Sequence, residues 1–297
     1  MIEYIVSVLL IAIIYAIFSL GLNLEWGLTG LINFGHVAFL AIGAYTTVIL
    51  NLRGVPLIPS MLVAVALAGL CGALLGLPTL KLREDYLAIV TIGFSEIVRL
   101  ILLNEEWLTR GPLGMHGYSR PLADFVSVDY NYFLLIVVLT CLIVCYFMLE
   151  RLVKSPWGRV IKSIREDEDV ASSLGKNVFS YKIQSLVLGS AIAGLSGSLL
   201  AFYMRYINPM NFVPIETFYA WIIVVLGGSG NNRGTILGAI ILWIFFSGTR
   251  FIQGDLPITP SQAGALRIMF IGLALIILMM FKPEGILGRK EELLLEQ

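Results

Sequence analysis

Residues Tyr4 to Leu24 read YIVSVLLIAIIYAIFSLGLNL, an apolar run with no charged residue in it. A helix of about 20 such residues crosses the hydrocarbon core of a bilayer. The same reading applies to Leu28 to Leu50, Leu57 to Leu80, Tyr86 to Leu103, Tyr132 to Leu149, Tyr181 to Met204, Gly234 to Phe251 and Ala263 to Phe281. Thr217 to Leu226 is apolar but too short to span alone. The runs are continuous, not alternating, which argues against a membrane β-barrel. The expected fold is all-α: a polytopic membrane helix bundle of about eight to nine spans, some broken or re-entrant, forming one transmembrane domain over residues 1–297. The N-terminus lacks the basic region of a cleaved signal peptide, with Glu3 its only early charge.

Composition agrees. Of 297 residues, 58% are hydrophobic and 13% charged, about half the charge of an ordinary soluble domain. Twenty basic and 20 acidic residues cancel. Disorder needs low hydrophobicity and high charge, and nucleic-acid binding needs a basic excess. Three cysteines are too few for a disulfide scaffold. Cys71, Cys141 and Cys145 lie in apolar spans, have no second ligand pair for zinc, and read as small buried hydrophobes.

The basic residues set the orientation. The loop from Arg151 to Lys182 holds Arg151, Lys154, Arg159, Lys162, Arg165, Lys176 and Lys182, which places it in the cytoplasm. Counting spans outward, with Thr217 to Leu226 as one crossing, puts Lys81, Arg83, Arg233, Lys282, Arg289 and Lys290 on the same side. Arg53, Arg99, Arg110, Arg120, Arg205, Arg250 and Arg267 remain elsewhere. The N-terminus is then outside and the C-terminus inside, with Gly27, Gly30 and Gly35 as points where the second stretch can break.

Within the loop, Ser155 before Pro156 has the pattern of a helix N-cap with proline at the first helical position. Gly175 has that of a left-handed helix end. Between them Val160, Ile161, Ile164, Val170, Ala171 and Leu174 interleave with charges, predicting two short amphipathic helices at the membrane surface. Such an element is either a solvated loop that sets topology or a docking element for a cytoplasmic partner.

In the next span Ser185, Gly189, Ala193, Gly197 and Ala201 recur every four residues, a small-residue stripe for tight helix packing, within the chain or at a subunit interface. Gly72 and Gly76 repeat the motif. Polar groups at membrane depth each need a partner or a role. Glu96 and Arg99 are three apart and share a helix face, suited to structural pairing or to a pathway. Asn23, Glu25, Asn33 and His36 cluster around the glycine-rich GLNLEWGLTGLINFGH, where His36 is either a proton carrier or a helix–helix hydrogen-bonding group. The short segment before GGSGNNRGTILG, Gly227 to Gly238, together with the glycine-rich break near Gly30, points to a transport site built from broken helices and hints weakly at an internal repeat.

No phosphate-loop motif and no H-E-x-x-H occurs, and His36 and His116 offer little for a metal. Gly194-Leu195-Ser196-Gly197 matches the G-x-S-G pattern of rhomboid-type intramembrane proteases, which requires a base beside Ser196. An ion-coupled secondary transporter is the other competing class.

Four stretches carry a resemblance: GLNLEWGLTGLINFGHVAFLAIGAYT from Gly21, KLREDYLAIVTIGFSEIVRL from Lys81, GRVIKSIREDEDVASSLGKN from Gly158 and VVLGGSGNNRGTILGA from Val224. The chain resembles the permease subunits of ABC importers for branched-chain and other neutral amino acids, in particular the M-type subunit of the two-permease system. A permease of this family for urea or short amides is the alternative solute. The resemblance implies a non-enzymatic subunit of the bacterial inner membrane that works with a second permease, two cytoplasmic ATPases and an external solute-binding protein. ATP and magnesium sit on the ATPases, and this chain holds no cofactor. It implies that the loop forms coupling helices, with Gly158, Arg165, Glu166, Asp167, Glu168, Ala171 and Gly175 at the matching positions. The general importer pattern E-A-A-x-x-x-G is met loosely, with Glu168, Ala171 and Gly175 one residue further apart. The path is expected between the two permeases, lined or shaped by Asn23, Asn33, His36, Glu96 and Arg99. Gly111 to Leu122 lies in an outer loop where the binding protein would touch.

Overall fold

A computed structural model describes residues 2–80, 84–118, 130–253, 260–281 and 284–288. Lys81, Arg83, Arg120, Lys282, Arg289 and Lys290, the last part of the outer loop Gly111 to Leu122, and the side chains of Arg250 and Arg267 lie outside what is described.

The long apolar runs are helices: α1 (Ile2–Leu22), α2 (Val37–Leu52), α3 (Leu57–Thr79), α4 (Glu84–Asn104), α6 (Tyr130–Lys154), α9 (Val178–Met204), α10 (Ile215–Gly227), α11 (Asn232–Gln253) and α12 (Pro260–Phe281). Short helices α5 (Glu106–Thr109), α7 (Pro156–Glu166) and α8 (Glu168–Ser173) lie between them. A two-residue antiparallel ribbon pairs Met115 with Ile207 and His116 with Tyr206, joining β1 (Met115–His116) to β2 (Tyr206–Ile207).

Among the described residues, six helical stretches have the length and apolarity to cross a bilayer, including Ile2–Leu28 and Pro209–Gly227. The expectation of eight to nine spans is therefore met only in its coarser form, a polytopic helical bundle. Three boundaries differ from the sequence reading. The first helix continues past Leu24 through a π-helical turn, Asn23–Leu28. The second run, read as Leu28 to Leu50, is not helical until Val37, because Gly30 takes a left-handed conformation and the following backbone bonds elsewhere. The short stretch Thr217 to Leu226 is lengthened by a 3-10 turn at Pro209–Asn211 to the 19 residues of Pro209–Gly227.

Helix α9 is the axis of the bundle, with α1, α2 and α3 packed around it. It runs antiparallel to α1: Ser185 bonds the Leu24 carbonyl at one end and Ser196 the Ile14 carbonyl further along. The small-residue stripe accounts for this packing. Ser185, Gly189, Ala193, Gly197 and Ala201 are all buried within this one chain. At the α2–α9 crossing a Cβ on Gly43 would overlap the Gly194 backbone, and one on Gly197 would overlap Leu40. Gly72 and Gly76 admit Ser190 and Leu186 of α9 in the same way. The stripe therefore serves internal packing, where close backbone approach adds dispersion contact that the lipid cannot supply.

Candidate functional site

Two regions gather polar chemistry: a buried knot where α1, α2, α9 and α10 meet, and the α7–α8 loop beneath it.

The knot begins where α2 and α10 start. Both start beside the middle of α1. The Thr217 hydroxyl accepts from the Val37 backbone N–H (2.9 Å), and Glu216 accepts from the Tyr15 hydroxyl. From there the two helices run in opposite directions. Helix α2 follows α9 toward the start of α1, as the Thr47–Ser198 contact at 2.7 Å shows. Helix α10 follows α1 toward its end, where Trp221 and Trp26 pack 4.4 Å apart. The two half-length helices thus meet N-terminus to N-terminus, with Phe34 stacked on Phe218 at 5.5 Å. The glycine-rich segment near Gly30 precedes the start of α2, whereas the other, Gly227 to Gly238, lies at the far end of α10.

Several backbone groups of the non-helical stretch before α2 are satisfied by protein, as such a stretch inside a membrane bundle requires. Leu31 N–H donates to Glu25, Phe34 N–H to the Thr91 hydroxyl, Gly35 N–H to the Asn33 side chain, and the Trp221 indole donates to the Asn33 carbonyl. Asn23, Glu25, Asn33 and His36 are fully buried here. Asn33 donates to Glu25 Oε2 at 2.8 Å. His36 Nε2 lies 3.2 Å from the Phe18 carbonyl, which only accepts, so Nε2 is the donor there. His36 Nδ1 then faces Glu25 Oε2 at 3.3 Å, and attraction requires one proton between them. Glu25 Oε1 rests against Gly189: any side chain there would overlap the carboxylate. Asn23 donates to Asn232 (3.0 Å) and accepts from the Gly230 N–H (2.8 Å), tying the two glycine-rich turns together.

Glu96 and Arg99 form their expected pair on α4, but in different surroundings. Their side chains are 40% and 15% exposed, and Arg99 also reaches Met210 Sδ at 3.5 Å. The sequence cluster and the α4 pair are therefore not one site. Ser196 donates to the Ile14 carbonyl (2.8 Å), while His36 faces Phe18 and Glu25. Among the described residues, His36 is therefore not the base beside Ser196 that the pattern requires.

The loop folds as its sequence predicts. Ser155 caps α7, Asp167 caps α8 by accepting from Val170 N–H (2.9 Å), and Gly175 is left-handed. Gly158 packs so closely on the end of α6 that a side chain would overlap the Leu152 and Val153 carbonyls. Ile161, Ile164 and Ala171 face inward. Val170 and Leu174 face out, 55% and 72% exposed, beside Glu166, Asp167 and Asp169. Glu168 pairs with Lys182 at the start of α9. Arg165, one of the coupling positions that the resemblance implies, turns inward: its guanidinium donates to the Gly27 carbonyl, and its stem lies against Gly30. Nothing in the sequence pattern distinguished Arg165 from its exposed neighbours, nor marked Glu216, Thr217 and Asn232 as partners of the knot.

Residues 4–279 match the family described as the permease component of branched-chain amino acid transport systems. The chain is 33% identical over 306 residues to the high-affinity branched-chain amino acid transport system permease protein LivM of Escherichia coli K12, covering 95% of this chain and 69% of that protein. It is 29% identical to the probable branched-chain amino acid transport permease protein LivM of Methanocaldococcus jannaschii, covering 93% and 91%. Against LivH of Escherichia coli K12, also a high-affinity branched-chain amino acid transport system permease protein, identity is 24%, covering 93% and 92%. No solved structure matches the chain.

Proposed function

The chain belongs to the permease family of branched-chain amino acid transport systems, a membrane transport subunit and not an enzyme, and on that premise we propose that it carries a branched-chain or other neutral amino acid as the M-type half of a two-permease pore. Two cytoplasmic ATPases dock on α7 and α8, and an external solute-binding protein delivers the solute at the opposite end, near Gly111 to Leu122. We read α2, α11 and α12 as crossings beside the six long apolar stretches, nine in all; with the basic loop on the cytoplasmic side, this reading has the N-terminus outside and the C-terminus inside. Between the two permeases, Glu96 and Arg99 line the path, while Asn23, Asn33 and His36 shape it from behind.

One observation carries this reading: the loop has two faces with different partners. Val170 and Leu174 stand exposed among acidic residues, a surface suited to a protein partner. On the inner side Arg165 holds the carbonyl of Gly27 at the foot of the break. Movement of α7 by an ATPase thus pulls directly on the turn that positions α2. Val170→Glu with Leu174→Glu should abolish co-purification of the ATPases. Arg165→Ala should keep them bound but lower uptake per ATP about tenfold, the scale of one lost hydrogen bond to a charged group. Unchanged uptake in Arg165→Ala overturns the coupling role.

A further inference from the structure

A second polar cavity, of about 340 Å³, lies between the last turn of α6, the middle of α7 and the turn leading into α11. That volume falls within the range of small-molecule sites, about 300–1,000 Å³. Three cations reach it from three elements: Lys154 from α6, Lys162 from α7 and Arg233 from α11. Glu150 is the acidic residue among its lining side chains, and both its oxygens are engaged. One pairs with Lys154 at 3.1 Å, and the other accepts from Asn232 at 3.3 Å. Arg233 spends its Nε on the neutral Tyr146 hydroxyl (2.9 Å), which leaves the terminal guanidinium nitrogens for another acceptor. Lys162 is half-buried and has neither an ion pair nor a hydrogen bond to its ammonium among the described residues. The N-terminal dipole of α11 adds to the positive potential. Its Arg233 and Gly234 N–H groups are already accepted by Asn231, so side chains would do the holding.

We infer that this pocket binds a phosphate group. Two sources share that chemistry, the headgroup of an anionic phospholipid and free phosphate. The surface beside the pocket favours the lipid. On α6 Val144 and Phe147, and on α11 Leu237 and Ile241, present exposed apolar side chains about one to three turns from the cations. Acyl chains need such a surface and a free anion does not. Basic pockets between membrane helices on the cytoplasmic side are known headgroup sites. Naming the leaflet as cytoplasmic rests on the sidedness proposed above, whereas the binding itself does not. Because Lys162 lies on α7, an occupied pocket would fix the coupling helix against α6 and α11 and make transport sensitive to lipid charge.

The test is native mass spectrometry of the full-length protein in neutral detergent, titrated with phosphatidylglycerol, phosphatidylcholine and inorganic phosphate. Phosphatidylglycerol should bind in preference to phosphatidylcholine. Lys162→Ala with Arg233→Ala should weaken it about thirtyfold, from the usual contribution of two surface cations to anionic-lipid binding. Arg53→Gln, which removes one cation at an exposed site elsewhere, should leave it unchanged. If the double variant does not fold, Lys162→Gln alone should weaken binding about fivefold. Phosphate bound without selection for phosphatidylglycerol, and lost in the variant, keeps the pocket and assigns it to the free anion. Equal binding of the two lipids with no phosphate bound, or phosphatidylglycerol binding unaffected by the variants, overturns the inference.

Discussion

Glu25 with His36 and Glu96 with Arg99 are both acid–base pairs set in apolar helices, yet their surroundings are opposite. The first is sealed from solvent on every side, accepts a further bond from Asn33 and sits against a glycine of the central helix. The second lies on the face of α4, the least buried of the six long apolar stretches, with 22% of its apolar window inside the chain against 78% for α9. The buried pair can only be broken at the cost of stranding its partner. The exposed pair forms where water, lipid or a second subunit completes its environment. Stability should therefore reside in the first pair and transport in the second.

The largest test of that contrast is Glu25→Ala. It removes the carboxylate that faces His36 Nδ1, strands the Asn33 amide inside the bundle and should cost about 3–5 kcal/mol, read by denaturant unfolding in micelles. A cost near zero would mean the knot is not structural. Next is Gly189→Ala, whose methyl group must displace the Glu25 carboxylate and should cost about 1–3 kcal/mol. In a double-mutant cycle with Glu25→Ala the two losses should fall short of additive, since the second variant removes the group the first collides with. Asn232→Ala leaves the Asn23 amide unpaired and should cost about 1–3 kcal/mol, with the same assay as the check. Smallest in stability is Glu96→Gln with Arg99→Gln, under about 1 kcal/mol because the pair is partly exposed. That variant should nonetheless slow solute uptake in vesicles. Normal uptake with a large loss of stability would reverse the contrast.

Much of the fold was legible because bilayer thickness dictates helix length, and apolar runs such as Leu57 to Leu80 became helices within a residue or two. Much of the loop was equally legible: Ser155, Pro156 and Gly175 act through local backbone chemistry that depends on neighbours in sequence. The break before Val37 was harder. Glycine marks where a helix can stop, but the stop is held by Thr91 and Thr217, residues far along the chain. The same limit applies to the stripe on α9. Its spacing announced close packing, while only the partners Leu40 and Glu25 revealed that the packing is internal.

The sequence by itself determined that this is a polytopic helical membrane protein of a known permease family, and which loop is charged and two-faced. Apolar length, charge placement and capping are properties of short segments. Tertiary structure alone decided that α2 and α10 meet end to end, that Arg165 points inward to Gly27, and that Lys154, Lys162 and Arg233 converge on one pocket. Those facts depend on distances between segments scores or hundreds of residues apart, which bundle packing sets and no local pattern encodes.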